Sequence, residues 1–213
     1  MFSVQAYLGQ YEQVLRRLDH AAVEQLVGVV FDAWRSRRTV FVCGNGGSAA
    51  SACHIAADLT KLTAPARGPR LRAMAITESV SAISAIANDL AYEAVFAEQL
   101  RAFCEGGDVV IGLSTSGSSP NVLRAIEYAN SIGAVTVGIT GRAGRALQQI
   151  VRHAVVVDST SVQHIEDATM VTGHIVCLGV AEAIRAMHTR TLLRPVAAEL
   201  RARSALAPAA AAN

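Results

Sequence analysis

Aromatic residues make up only 5% of this 213-residue chain, and its formal net charge is +2. No Lys/Arg-dense patch interleaved with aromatics is visible, so nucleic acid has little support as the main ligand. The four cysteines, Cys43, Cys53, Cys104 and Cys177, form no C-x-x-C pair. Three of them fall inside apolar runs, which excludes a disulfide framework and reads as reduced thiols in a cytosolic protein. The opening residues lack a charged segment followed by an apolar core and cleavage site, and no apolar stretch of about 20 residues reads as long enough to span a bilayer. The expectation is a cytoplasmic protein without a membrane partner. What is abundant is apolar: 52% hydrophobic with 17% charged is a globular composition able to bury a large core.

Apolar periodicity near 3.6 predicts two opening helices, residues 4–18 and 21–37, with Asp19 placed to cap the second. Short β-branched runs at 39–43, 72–76, 109–113, 135–139 and 154–157 then alternate with helical segments. Their near-continuous hydrophobicity suits central strands of a parallel sheet covered on both faces. This predicts an α/β domain, a doubly wound five-stranded parallel sheet of order 2-1-3-4-5. A long helix over 166–189 closes it. We place one domain at 1–195, with 1–37 as its helical pair, and read the Ala-rich 196–213 as a frayed tail.

Two loops carry the chemistry. Gly44-Asn45-Gly46-Gly47-Ser48 follows the first strand, and Ser114-Thr115-Ser116-Gly117-Ser118-Ser119 follows the third. Each has Gly where a side chain would hold the backbone amides away from a ligand, hydroxyls that can donate, and a helix N-terminus just downstream. In the predicted sheet order the strand direction reverses between the first and third strands, and ligands bind at such a switch point. Two anion cradles facing one crevice suggest a phosphorylated substrate. The first loop also fits the dinucleotide pattern G-x-G-x-x-A, but the acidic residue expected about 20 residues on is missing. No Gly-Lys-Ser/Thr follows either loop, which excludes a Walker-type site.

Two further residues stand on the helix after the first loop. His54 and Asp58 are four apart, so both project from one face, and imidazole with carboxylate at that spacing supplies ligands suited to zinc. On the last helix Glu166 precedes His174 by eight residues. In continuous helix that is about 12 Å along the axis, so either the helix begins near Glu166 or the two residues act in different subunits. His164 and Asp167, beside Glu166, are left undecided.

The chain resembles the sugar isomerase (SIS) domain family, and within it the phosphoheptose isomerases. The resemblance rests on Cys43-Gly-Asn-Gly-Gly-Ser-Ala-Ala50, Ala87-Asn88-Asp89 with Val95-Phe96, Leu113-Ser-Thr-Ser-Gly-Ser-Ser-Pro-Asn121 with Ala125, Gly138-Ile-Thr-Gly141, and His174. It implies that Ser114, Thr115, Ser116 and Ser119 hold the sugar phosphate. Asn45, Gly46, Gly47, Ser48, Asn88, Asp89 and Glu166 would complete the substrate site. It further implies an aldose-ketose isomerase acting through an enediol, with Asp58 as base and His174 as acid. A zinc ion would be held by His54, Asp58, Glu166 and His174, in a homotetramer with sites at subunit boundaries. Sedoheptulose 7-phosphate is the implied substrate. Two departures stand out: the base position carries Asp58 rather than the longer Glu, and Glu166 replaces a neutral Gln. The competing readings are a non-catalytic SIS sugar-phosphate sensor or scaffold, and an isomerase of a different phosphosugar.

Overall fold

Each β-branched run becomes a strand, and the segments between them become the helices that return the chain to the same edge of the sheet. The computed structural model describes residues 2–64 and 69–205, with side chains as far as 189. Helices α1 (Val4–Arg16) and α2 (His20–Arg35) come first, then β1 (Thr39–Gly44), α3 (Gly47–Leu62) and β2 (Arg72–Ala75). There follow α4 (Val80–Asp89), a 3₁₀ turn (Tyr92–Ala94), α5 (Val95–Phe103), β3 (Val109–Ser114) and α6 (Pro120–Ser131). The chain ends with β4 (Val135–Gly141), α7 (Arg145–Ile150), β5 (His153–Val157) and α8 (Val162–Ala205). Asp19 caps α2 as expected, its carboxylate accepting from the Ala22 N–H at 3.1 Å.

The strands pair in parallel in the order β2-β1-β3-β4-β5, the order expected. Every residue of β1 and β3 is buried. Alternate side chains enter different cores, because successive Cβ atoms of a strand point to opposite faces. Val40 and Val42 join Leu26, Val30, Ile55 and Val180 of α2, α3 and α8, whereas Phe41 and Cys43 join Phe96, Leu100, Val122 and Ile126 of α5 and α6. All four cysteines are free, and burial pushes the Cys43 thiol up to about 12, which leaves it inert.

The last helix differs from its sequence reading at both ends. It starts at Val162, and it continues past residue 189 to Ala205. Residues 206–213 of the Ala-rich tail lie outside the described residues. The expectation that no stretch could span a bilayer is also corrected: residues 162–189 of α8 are long and apolar enough by length and composition. That apolarity is divided between two sides. Val176, Val180 and Ile184 pack in the core, while Ile175, Leu178 and Met187 are exposed.

Candidate functional site

The pairing of β1 with β3 places the two Gly/Ser-rich loops side by side. Gly44 lies opposite Leu113 in the ladder, so both chains leave the sheet at the same level, about 4.8 Å apart. In the first loop no side chain caps α3, and the Ala49 and Ala50 N–H groups bond to the carbonyls of Asn45 and Gly46. The N–H groups of Gly47 and Ser48, at the positive end of the helix, have no acceptor among the described residues.

Asn45 plays a structural part that its spacing alone does not reveal. Its amide and that of buried Asn121 exchange two hydrogen bonds, both 2.8 Å, which tie the first loop to the start of α6. The Tyr92 hydroxyl donates to Asn45 Oδ1 at 2.9 Å. These residues, with Glu93, Ser119 and Pro120, line a cavity of about 300 Å³. Tyr92 and Asn121 were missed as site residues. Pro120 at the helix start, followed by an amide that can bond back, was the available signal for Asn121.

The second loop keeps its serine hydroxyls within itself, while its Thr115 and Gly117 carbonyls accept from Gly141 and Leu147. Ser114 Oγ lies 3.0 Å from Ser119 Oγ and accepts from the Gly117 N–H at 3.0 Å. The Ser118 hydroxyl donates to Ser116 Oγ at 3.0 Å. Gly117 has φ +62°, and a Cβ there would overlap the Gly144 backbone, so the tight turn requires glycine. No side chain caps α6 and no acidic residue stands in its first turn.

His54 and Asp58 of α3 and His174 of α8 come together. Their ligand atoms all lie within 4.8 Å of one another, with Asp58 Oδ2 at 3.4 Å from His54 Nε2 and 3.8 Å from His174 Nε2. The two Nε2 atoms are 3.2 Å apart. They cannot both carry a proton at that distance, so the pair either shares one or turns both lone pairs to a cation. The close approach is built by the neighbouring residues: Gly173 packs on Ile55, and a Cβ on Gly173 would meet Ile55 Cγ1 at 2.6 Å. Side-chain exposure is 53% for His54, 49% for His174 and 21% for Asp58, so imidazole edges face solvent while the carboxylate is held beneath them.

Glu166 does not join this trio. It sits inside α8, four residues after the helix begins, which removes the idea that it lies outside regular helix. Its carboxylate lies against Gly47 at the start of α3. His164 and Asp167 serve α1: His164 is buried beside the rings of Tyr7 and Tyr11, and the Tyr7 hydroxyl donates to Asp167 at 2.5 Å. That hydrogen bond pushes the Tyr7 hydroxyl up to about 12. Asn88 and Asp89 are exposed in the last turn of α4, where the Asn88 amide donates to Asp89 Oδ1 at 2.8 Å.

Known proteins share the fold that carries these residues. The SIS domain family matches residues 6–141. A phosphoheptose isomerase of Aquifex aeolicus is 38% identical over 162 residues, covering 76% of this chain and 84% of that protein. One of Akkermansia muciniphila is 37% identical over 158 residues, covering 73% of this chain and 82% of its own length. The solved phosphoheptose isomerase of Neisseria gonorrhoeae superposes with a TM-score of 0.78 at 28% identity, over 84% of this chain and 97% of that one. With its two loops, its sheet order and these relatives, the chain belongs to the SIS domain family, and within that family to the phosphoheptose isomerases.

Proposed function

We propose that the protein is a sugar-phosphate isomerase that interconverts sedoheptulose 7-phosphate and D-glycero-D-manno-heptose 7-phosphate through an enediol. The observation that carries this reading is one carboxylate and two imidazoles within 4.8 Å, on α8 and on α3, the helix that leaves the first of two loops suited to a phosphosugar. Ser114, Thr115, Ser116 and Ser119 receive the phosphate, with the Asn121 N–H at the start of α6 adding to their hydroxyls. Gly46, Gly47 and Ser48 face the sugar, and Asn45 holds the two loops in register. Asn88 and Asp89 complete the sugar site.

In the forward reaction Asp58 takes a proton from C1 of the ketose, while His174 gives a proton to the C2 carbonyl oxygen. The enediol that results is reprotonated at C2 as its C1 hydroxyl loses a proton, which yields the aldehyde. General acid-base work of this kind contributes about 10²- to 10⁴-fold in rate. His54, 3.2 Å from His174, fixes which imidazole carries the shared proton.

The donor set of His54, Asp58 and His174 also fits one divalent ion, zinc by ligand type, with Glu166 held apart from it. Bound there, the ion would polarise a carbonyl or hydroxyl oxygen. Elemental analysis of protein purified without chelator is expected to find about one ion per chain; metal-free protein with full activity would confine the trio to proton transfer. The exposed apolar side chains of α1 and α8, Val4, Leu8, Val162, Ile175 and Leu178, support self-association, which we take to be a homotetramer. Light scattering after size exclusion tests the assembly.

The function itself is tested by incubating the protein with sedoheptulose 7-phosphate in deuterated water. Deuterium should appear at the carbon next to the carbonyl, and an aldose phosphate should accumulate. A protein that binds phosphosugars but exchanges no proton with solvent is a sensor or scaffold.

A further inference from the structure

The two loops leave the carboxyl ends of the strands. A separate cavity of about 260 Å³ opens at the amino ends, where β3 and β4 begin with Val109 and Val135. One length of β3, about 16 Å, separates the two places. Arg38, Arg152 and His153 bring three basic groups to the cavity from the starts of β1 and β5. Their charge is poorly answered. Arg152 has no ion pair or side-chain hydrogen bond among the described residues. Arg38 reaches only Glu105, at 3.9 Å and with that side chain 83% exposed, a contact worth little in water. Of the nearby acids, Asp32 is paired with Arg35 at 3.0 Å, and Asp108 accepts from the Thr39 and Glu105 N–H groups. Burial and then the Arg152 guanidinium hold the His153 imidazole below the usual histidine range, with no acid acting against them. Gly107, at φ +88°, leaves room for the Arg38 guanidinium, since an added Cβ would stand 3.1 Å from its Nε. Ser36 adds a hydroxyl without a partner among the described residues.

The geometry points to a second binding site, in which Arg38 and Arg152 pair with a small dianion of the phosphate class and the Ser36 hydroxyl donates to it. Planar guanidinium forks match the oxygens of such a group, and two of them facing one cavity answer its two charges. Size limits the ligand. The cavity is smaller than the roughly 300–1,000 Å³ of sites for drug-sized molecules, so it suits free phosphate or a short phosphate ester and not a nucleotide. The site does not depend on the isomerase reading.

The test is an NMR titration of the full chain with inorganic phosphate, following the His153 imidazole resonance, which is assigned by its loss in His153→Gln. Phosphate should shift that resonance to saturation, and chloride at equal ionic strength should not. Arg152→Gln should raise the phosphate concentration at half-saturation at least about tenfold, because it removes charge-assisted hydrogen bonds. Arg152 is exposed, so the substitution leaves the core untouched, and Arg38→Gln repeats the measurement on the other guanidinium. Ser116→Ala, in the second loop, should leave the His153 titration unchanged. Glycerol 3-phosphate separates the sources: tighter binding than phosphate assigns an organic ester, and weaker binding assigns the free ion. A shift that chloride reproduces, or a midpoint indifferent to both arginine variants, would overturn the inference. So would a midpoint that moves with Ser116→Ala, which would place the phosphate in the second loop.

Discussion

The loops after β1 and β3 leave the sheet side by side, one rich in glycine and the other in serine, and end in different employment. In the first, Asn45 is engaged by Asn121 and Tyr92, and Gly47 lies under Glu166. In the second, the hydroxyls of Ser114, Ser116, Ser118 and Ser119 bond only within the loop, while at the start of α6 the Val122 N–H is already held by Asn121 Oδ1. Hydrogen bonds among neighbouring hydroxyls are easily exchanged for stronger ones to a charged oxygen. Bonds between buried amides are not, because breaking one strands its partner. The first loop thus builds the crevice and launches the helix that carries His54 and Asp58, and the second is left for the ligand.

The largest effect should come from the acid-base pair, Asp58 on α3 and His174 on α8. Asp58→Asn or His174→Gln should lower turnover at least about 100-fold, with circular dichroism, oligomer size and sugar-phosphate binding little changed. A variant retaining full turnover would end the assignment of the acid-base pair. Next come Ser116→Ala and Ser119→Ala, which should each weaken sugar-phosphate binding by about 1.5 to 3 kcal/mol, the worth of a hydrogen bond to a charged group. Their melting temperatures should stay at the wild-type value, and unchanged affinity in both would remove the second loop from the site. Asn45→Ala should do the opposite. It leaves the buried Asn121 amide without its partner, so stability in urea should fall by about 1 to 3 kcal/mol. If Asn45→Ala kept full stability while Ser116→Ala lost it, the division of labour between the loops would be reversed.

The smallest effect concerns neither loop and serves as their control. His153 opens β5, and burial, helped by the Arg152 guanidinium, holds its imidazole below the usual histidine range. The unfolded chain takes up that proton at a higher pH than the folded one, so the fold is favoured above the unfolded value, near pH 6.5. That contribution is lost as pH falls through the folded value. His153→Gln should therefore lose less stability than wild type between pH 7 and 5 in denaturant titrations.

Much of this was legible in the sequence because the signals were local. Strand runs, the Asp19 cap and the Gly/Ser loops each report on a few consecutive residues, and the switch-point rule then places the loops together. The i, i+4 spacing of His54 and Asp58 likewise put both on one face. What was not legible depends on how elements pack. Glu166 was grouped with the metal ligands because its place in the helix was known and its direction was not. Asn121 stood in the stretch that carries the resemblance, but its bond to Asn45 depends on β1 and β3 pairing, and Gly173, which lets α8 reach α3, had no local mark at all. The apolar content of α8 misled in another way, since composition does not say which residues face the core.

Helix α8 carries Glu166 and His174 on a single rigid element, about 12 Å apart along its axis. A tilt of that rod cannot move one without moving the other, so the Glu166 carboxylate and the His174 imidazole are geared together. Any contact that leans on the helix far from the crevice, including one made by a second copy on its exposed Leu178 side, would act on both at once.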